Sequence, residues 1–127
     1  MSNKEGERQP AELIWEGDSL DVVRTFPQDI RKVLGEDIRR VQTGVKPKDG
    51  KPMRSIGAGV FELRQADNNG WYRTIYLSVV DGKLHILHSF IKKSKNTPRK
   101  DLSIAETRLK EVKARRLREK KDAKRKN

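Results

Sequence analysis

The fold is decided by the stretch VFELRQADNNGWYRTIYLSVVDGKLHILHSFI, residues 60–91. It contains three runs rich in β-branched and aromatic residues, and two turn signals, Asn69-Gly70 and Asp81-Gly82, separate the runs. Asn-Gly and Asp-Gly pairs favour tight hairpins because these residues adopt a positive φ at little cost. We therefore predict an antiparallel meander of three consecutive strands, which are Val60–Gln65, Trp71–Val79 and Leu84–Ile91.

The segment before the meander predicts one strand and two helices. Alternation of apolar and polar residues indicates a strand at 11–16. Capping residues and helical spacing indicate a short helix at 18–26 and a longer one at 27–44. The longer helix has a single apolar stripe, which consists of Ile30, Val33, Leu34, Ile38 and Val41. Residues 45–59 are rich in Gly and Pro and are predicted to form a loop.

The segment after the meander predicts a basic connector, 92–100, and a final helix that begins near Asp101. Its apolar stripe consists of Leu102, Ala105, Leu109 and Val112. Together these elements predict an α+β domain, with a small antiparallel sheet of about four strands, two N-terminal helices on one face and a C-terminal helix. We expect this domain to occupy residues 11–112, between a disordered N-terminus at 1–10 and a basic tail, helical or disordered, at 113–127.

The charge of the chain is large and uneven. Its 127 residues carry 30 Lys or Arg against 18 Asp or Glu, a formal net charge of +12. Residues 110–127 hold ten of these cations against three carboxylates, so +7 of the +12 lies in the tail. A protein this basic attracts polyanions, of which nucleic acid is the commonest. An anionic membrane surface is the rival partner, but the tail lacks the large apolar face of a membrane-surface helix.

Several classes of function are disfavoured by what the sequence lacks. There is no cysteine, which excludes disulfides, thiolate zinc sites and a cysteine nucleophile. There is no glycine-rich phosphate loop, and strand alternation predicts that His85 and His88 lie on opposite faces rather than pair on a metal. The chain has no apolar run of membrane-spanning length and no secretory signal. We therefore expect a cytoplasmic protein without a metal, a small-molecule cofactor or a membrane partner.

Three motifs between Gly59 and Pro98 resemble the RelE/HigB toxin superfamily, and its phage-derived, HigB-like branch most closely. They are GVFELR at 59–64, GWYRTIY at 70–76, and HSFIKK at 88–93 with Thr97-Pro98 after it. The order and spacing of all three make the resemblance stronger than any one motif. It implies a RelE-like fold and a toxin that cleaves messenger RNA on the ribosome, metal-independently, by attack of the ribose 2′-hydroxyl. It also implies a cognate antitoxin, expected to be a helix-turn-helix protein, as a partner.

The resemblance places the basic catalytic residues of the family on Arg64, Arg73, Lys92 and Lys93. We expect Arg73 to be the main phosphate ligand, with Arg64 assisting, because a guanidinium matches the geometry of phosphate oxygens. Clustered positive charge lowers the pKa of a lysine, so Lys92 or Lys93 is suited to act as base or acid. Two features of some relatives are missing: Glu62 replaces a lysine, and Thr97-Pro98 occupy the region of a tyrosine. The identity of the general base is therefore open.

A second group of cations is predicted to bind the RNA backbone, and it consists of Lys46, Lys48, Lys51, Arg54 and Lys95. Solvated surface charge is the alternative for these residues, and surface pairing with Glu62 is the alternative for the strand arginines. His88 is interpreted as a structural side chain, and Trp71 and Tyr72 as core residues rather than base-stacking ones. The alternative function is a non-catalytic basic RNA-binding protein of the same fold. The tail beyond Lys113 is predicted to add RNA affinity without specificity.

Overall fold

The computed structural model describes residues 9–93 and 96–125, which form one sheet and three helices. In chain order the strands are β1 (Glu12–Trp15), β2 (Gly50–Pro52), β3 (Val60–Asp67), β4 (Gly70–Val80) and β5 (Lys83–Lys92). The helices are α1 (Ser19–Val23), α2 (Gln28–Gln42) and α3 (Arg99–Arg125). The predicted disorder at 1–10 falls mainly on residues 1–8, which lie outside the described residues. Within the described ranges, no helix combines the length and the apolar character needed to cross a membrane.

The predicted meander forms, and each of its turns has a local cause. Asp67 Oδ1 accepts hydrogen bonds from the backbone N–H groups of Asn69 (2.8 Å) and Gly70 (3.1 Å), which closes the turn between β3 and β4. In the turn between β4 and β5, Asp81 and Gly82 both have a positive φ, of 51° and 73°. Asp and Gly adopt this conformation more readily than most residues, so the turn signals were reliable.

The sheet has the strand order β1-β5-β4-β3-β2. β1 pairs with β5 in parallel, and the three other pairs of described strands are antiparallel. This confirms the mainly antiparallel sheet, but the structure has one strand more than the predicted four. The additional strand is β2, which lies inside the predicted loop and pairs with Phe61–Leu63 of β3. A three-residue edge strand that contains Gly and Pro shows no apolar alternation from which to predict it.

Helices cover both faces of the sheet. α1 and α2 pack on one face, where their core residues Val23 and Leu34 belong to the same cluster as Leu63 of β3. α3 packs on the opposite face, where Leu109 belongs to the same cluster as Ile75 of β4. The structure thereby confirms the α+β fold with both N-terminal helices on one face, and it places the C-terminal helix on the other.

α3 continues through the predicted tail as far as Arg125, and its first turns beyond the apolar stripe are attached to the domain. Arg115 donates to both carboxylate oxygens of Glu16, at 3.0 and 2.9 Å. Arg116 donates to Asp81 Oδ2 at 2.7 Å. These contacts join the helix to the end of β1 and to the turn between β4 and β5, so Arg115 and Arg116 of the predicted tail contact the domain.

Candidate active site

Charged side chains of three adjacent strands lie on the sheet face that α3 packs against. Alternation along β3 places Glu62 and Arg64 on this face, because Leu63 faces α2. Arg73 of β4 is the register partner of Arg64, and Lys92 of β5 pairs with Trp71, two positions before Arg73 in β4. Three of the four predicted catalytic residues therefore meet at one end of the sheet, together with Glu62. We call these four residues the strand-end cluster: Glu62, Arg64, Arg73 and Lys92.

A buried ion pair forms the centre of the strand-end cluster. Glu62 is 3% exposed and Arg73 is 4% exposed, and Arg73 Nε lies 3.5 Å from Glu62 Oε1. Arg73 Nη1 also donates to the backbone carbonyls of Gln65 and Tyr72, both at 3.2 Å. Burial lowers the pKa of Arg73, and the negative charge of Glu62 opposes that effect. The carboxylate thus neutralises a buried cation, and the backbone fixes the orientation of its guanidinium group.

Arg64 is the accessible cation of the cluster. Its side chain is 46% exposed, and its Nε lies 3.8 Å from Glu62 Oε1. Arg64 lines an open groove of about 450 Å³ with Arg73, Trp71 and Lys48. Its guanidinium is suited to bind two phosphate oxygens at once. Because Arg73 is buried, a phosphate that enters the groove reaches Arg64 first.

Lys92 is the member of the cluster suited to proton transfer. It is only 6% exposed. Burial lowers the pKa of Lys92, and the positive charges of Arg73, Arg64 and Lys51 lower it further, against the opposing charge of Glu62. A lysine with a lowered pKa gives up its proton more readily near neutral pH. The structure therefore provides at Lys92 the electrostatic environment that the sequence predicted for Lys92 or Lys93.

Lys93 does not join the cluster. It is exposed and lines a shallow recess at the turn between β3 and β4, with Asp67 and Asn69 among its neighbours. Strand alternation directs it away from the face that carries Lys92. Lys95, which was predicted to bind RNA, lies outside the described residues.

The structure divides the predicted loop cations into two pairs. Lys51 lies on β2 directly opposite Glu62, and Lys48 lines the groove of the cluster. Lys46 instead lines a separate groove at the start of β1 and the end of β4. Arg54 is exposed in the turn after β2, which leads to the opposite end of β3 from the cluster. Of the predicted RNA-binding cations that the structure describes, Lys48 and Lys51 therefore lie near the strand-end cluster, whereas Lys46 and Arg54 lie away from it.

A buried carboxylate on α2, Asp37, fixes the loop that carries these two lysines. Asp37 is completely buried, and its Oδ1 accepts the backbone N–H of Lys48 at 2.9 Å. The backbone carbonyl of the next residue, Asp49, accepts the N–H of Arg64 at 3.0 Å. The loop is therefore tied to both α2 and β3. Sequence reasoning missed Asp37, although a signal existed: it lies three residues after Leu34, on the apolar stripe of the helix.

His88 is a buried side chain with hydrogen-bond partners on both ring nitrogens. Its Nε2 lies 2.7 Å from Asp101 Oδ1, and Arg108 Nη1 lies 3.3 Å from its Nδ1. Its ring also stacks on that of Phe90, with centroids 5.3 Å apart. These contacts agree with its interpretation as a structural residue, because they join β5 to α3.

The prediction that His85 and His88 lie on opposite faces was wrong, because both lie on the face that α3 covers. Simple alternation groups His88 with Ile86, but the pairing of β4 and β5 is interrupted by a bulge that leaves Leu87 unpaired. The extra residue turns the rest of β5 over, so Phe90 faces α3 while Ile86 faces α1 and α2. His85 keeps its own partner, Glu16 Oε2 at 2.8 Å. Within the described ranges, no group of three side chains is arranged to hold a metal ion.

The aromatic residues at the start of β4 differ in their environments. Tyr72 is buried and packs edge to face on Phe26, with ring centroids 5.0 Å apart, as expected for a core residue. Trp71 was predicted to be a core residue too, but it is only half-buried and lines the groove beside Arg64. Its indole ring therefore offers a surface on which a base can stack next to the cluster.

Comparison with known proteins identifies a family. The model of the family described as "Phage derived protein Gp49-like" matches residues 21–110. This match covers most of the chain and confirms the resemblance to the phage-derived branch. The chain is also similar to a chain in the crystal structure of the toxin–antitoxin complex RelBE2 from Mycobacterium tuberculosis, with 21% sequence identity and a TM-score of 0.46 over 67% of this chain and 94% of that one. No curated protein is matched by sequence.

Proposed function

This chain belongs to the Gp49-like family of phage-derived proteins, and from that premise we propose that it is a type II toxin that cleaves messenger RNA on the ribosome. The observation that carries the proposal is the strand-end cluster, in which Glu62, Arg73 and Lys92 are buried beside the accessible Arg64. Burying ions costs several kcal/mol each, in order-of-magnitude terms, so a surface that only attracts RNA has no need of them. Buried charges with shifted pKa values are instead typical of catalytic sites.

In the proposed reaction the ribose 2′-oxygen attacks the adjacent phosphorus, and the bond from phosphorus to the 5′-oxygen breaks. The products are a 2′,3′-cyclic phosphate and a 5′-hydroxyl. A base accepts the 2′ proton, an acid protonates the leaving oxygen, and cationic donors stabilise the charge on the phosphate. Arg64 is the proposed phosphate ligand, since it is the exposed guanidinium at the groove. Arg73 contributes a buried positive charge near the phosphate and forms an ion pair with Glu62.

Two members of the cluster fit the proton-transfer roles. Glu62 Oε2 accepts no hydrogen bond from the described residues, and Glu62 is proposed to accept the 2′ proton after its buried side chain turns toward the groove on RNA binding. Protonated Lys92 is suited to donate to the leaving oxygen, because burial and Arg73 lower its pKa and so make it a stronger acid. Arg64 lies beside Glu62 and so brings the phosphate close to the proposed base.

The proposed partners follow from the family resemblance and from the charge of the chain. We propose that the ribosome and its bound message are the targets, in the cytoplasm, and that a cognate antitoxin of the helix-turn-helix kind neutralises the protein. Lys48 lines the groove and Lys51 lies opposite Glu62, and both are proposed to bind phosphates of the message backbone.

Single-turnover cleavage of a message on programmed ribosomes tests the proposal, with ribosome binding measured in parallel. We expect the wild-type chain to cut and Arg64→Ala to cut about 10²–10³-fold more slowly with binding largely retained, because one preorganised donor is removed. Arg24→Ala, which removes an exposed arginine of the α1 side, is the matched control and should cut at the wild-type rate. A wild-type chain that binds ribosomes but never cuts would establish the second candidate, a non-catalytic RNA-binding protein.

A further inference from the structure

The solvent-facing side of α3 carries a row of cations that lies apart from the strand-end cluster. Six basic residues fall within an arc of about 140° on the helix, taking about 100° per residue and the buried Leu109 as the origin. No Asp or Glu of the segment 110–125 falls within the same arc. All six side chains are exposed. We call them the outward basic face: Lys110, Lys113, Arg118, Lys121, Lys124 and Arg125.

The cations of α3 fall into two groups according to their contacts. Arg115 and Arg116, which turn toward the domain, are paired with Glu16 and Asp81. In the described part of the chain, no member of the outward basic face has a carboxylate partner within ion-pair distance. The inward cations therefore attach the helix to the domain, and the outward ones keep their full charge for a partner.

The outward basic face is held in a fixed place, at the opposite end of the sheet from the cluster. α3 runs back along β5: Asp101, near its start, contacts His88, and Arg116 contacts the turn before β5. The strand-end cluster lies beyond the N-terminal end of the helix, since Lys92 ends β5. From Asp101 to Arg118 the helix rises roughly 25 Å. A nucleic acid held there does not occupy the groove of the cluster.

The composition of the outward basic face indicates which kind of polyanion it is suited to bind. Residues 99–125 contain no aromatic side chain, so the face lacks the stacking platform that single-stranded nucleic acid uses. Leu117 is the one large apolar side chain exposed on the described part of α3, which is too little for a membrane-surface helix. A straight row of cations without aromatic or apolar partners matches the phosphate backbone of a duplex, which proteins bind by shape and charge.

We infer that the outward basic face of α3 binds the phosphate backbone of an RNA duplex, at a second site separate from the strand-end cluster. The choice of RNA over DNA rests on the proposed function, because the proposed substrate of the cluster is RNA. The second site binds without reading sequence and without contributing to the chemical step. It attaches the protein to structured RNA while the groove takes a single-stranded message.

A salt titration with matched charge-removal variants tests this inference on the full chain. The test variant is Arg118→Gln/Lys121→Gln/Lys124→Gln/Arg125→Gln. The control removes the same number of exposed charges from the side of the sheet that carries α1 and α2. It is Arg24→Gln/Arg31→Gln/Lys32→Gln/Arg39→Gln. Glutamine and these cations have similar helix propensities, so circular dichroism should show unchanged helix content in both. The probes are a short RNA duplex, one of its strands alone, and anionic lipid vesicles.

We expect the test variant to lose more affinity for the duplex than for the single strand or the vesicles. For the test variant, the slope of log affinity against log salt should fall by about 3.6 units, at roughly 0.9 for each of the four charges removed. The control should change the slope by less than about one unit. Equal reductions in the two variants, or a test variant that loses more affinity for the single strand or for the vesicles than for the duplex, would overturn the inference.

The same titration with Arg64→Ala separates this inference from the proposed function. Arg64 lies in the groove of the cluster, so its removal should leave duplex affinity at the wild-type value. If Arg64→Ala weakens duplex binding as strongly as the test variant, the second site is not separate and the inference is wrong. Failure of the wild-type chain to cut a message on ribosomes would refute the proposed function, and the duplex titration reports on α3 in either case.

Discussion

The strand-end cluster and the outward basic face of α3 are both basic, but they differ in burial. Arg73 and Lys92 are 4% and 6% exposed, and each has its pKa lowered by that burial. The cations of α3 are exposed, where solvent and salt screen them. Residues 110–127 hold +7 of the +12 charge of the chain, yet the groups suited to chemistry lie elsewhere. Burial and fixed orientation, rather than the amount of charge, distinguish the proposed catalytic cluster from the proposed RNA-binding face.

The largest expected effect comes from replacing the buried lysine while keeping its charge. Lys92→Arg retains a cation but removes a group that can release a proton, so the cleavage rate should fall by about 10²–10⁴-fold. Lys32→Arg, an exposed position on α2, is the matched control and should leave the rate unchanged. Single-turnover cleavage at saturating ribosomes measures both. A Lys92→Arg variant that cuts like wild type would mean that Lys92 acts only through its charge.

The pH dependence of the same reaction sharpens the role of Lys92. The charge of Arg64 helps to lower the pKa of Lys92, so Arg64→Gln should raise that pKa. If protonated Lys92 is the acid, the rate declines as pH rises through its pKa, and this decline should move to higher pH in the variant. The shift is read from the shape of the pH profile, independently of the lower rate. A decline that stays in place, or moves to lower pH, would exclude Lys92 as the acid.

A loss of stability is expected when the buried carboxylate is neutralised. Glu62→Gln leaves Arg73 and Lys92 buried without their counter-charge, and the free energy of unfolding should fall by about 3–5 kcal/mol. Chemical denaturation measures the change. Glu111→Gln, an exposed position on α3, is the control and should unfold like wild type. If both variants were equally stable, the cluster would not be an energetically coupled unit.

The smallest expected effects concern the attachment of α3. Arg115→Gln removes two hydrogen bonds from the buried carboxylate of Glu16 and should lower the free energy of unfolding by about 1.5–3 kcal/mol. Arg116→Gln removes a partner from Asp81, whose side chain is 60% exposed, and should cost less. Parallel denaturation curves compare the two. The reverse order would show that the solvent-facing pair, not the buried carboxylate, holds the helix.

Local signals explain which parts of the fold were predictable. The meander follows from turn residues adjacent in the chain, and the helices follow from spacing within one element. β2 was missed because its pairing with Phe61–Leu63 is a long-range property of a three-residue segment. His85 and His88 were wrongly predicted to lie on opposite faces, because the bulge at Leu87 leaves no mark in the apolar pattern.

The residue types of the site were predictable from the sequence, but the burial of each side chain was not. The motifs brought Arg64, Arg73 and Lys92 together, yet alternation places both arginines on one face without distinguishing them. Arg73 was expected to be the main phosphate ligand, and its burial against Glu62 makes Arg64 the proposed contact instead. Lys93 is adjacent to Lys92 in sequence, but the strand directs the two to different surroundings. These differences depend on neighbouring strands, which no local pattern encodes.

The most direct test compares one variant of each region on programmed ribosomes, with affinity and single-turnover rate measured together. Arg64→Ala should bind ribosomes like wild type and cut about 10²–10³-fold more slowly. The four-fold glutamine variant of α3, Arg118→Gln/Lys121→Gln/Lys124→Gln/Arg125→Gln, should bind more weakly as salt rises and cut at the wild-type rate once ribosomes are saturating. The opposite pattern, in which the α3 variant fails to cut at saturation and Arg64→Ala cuts normally, would contradict the division of labour between the two regions.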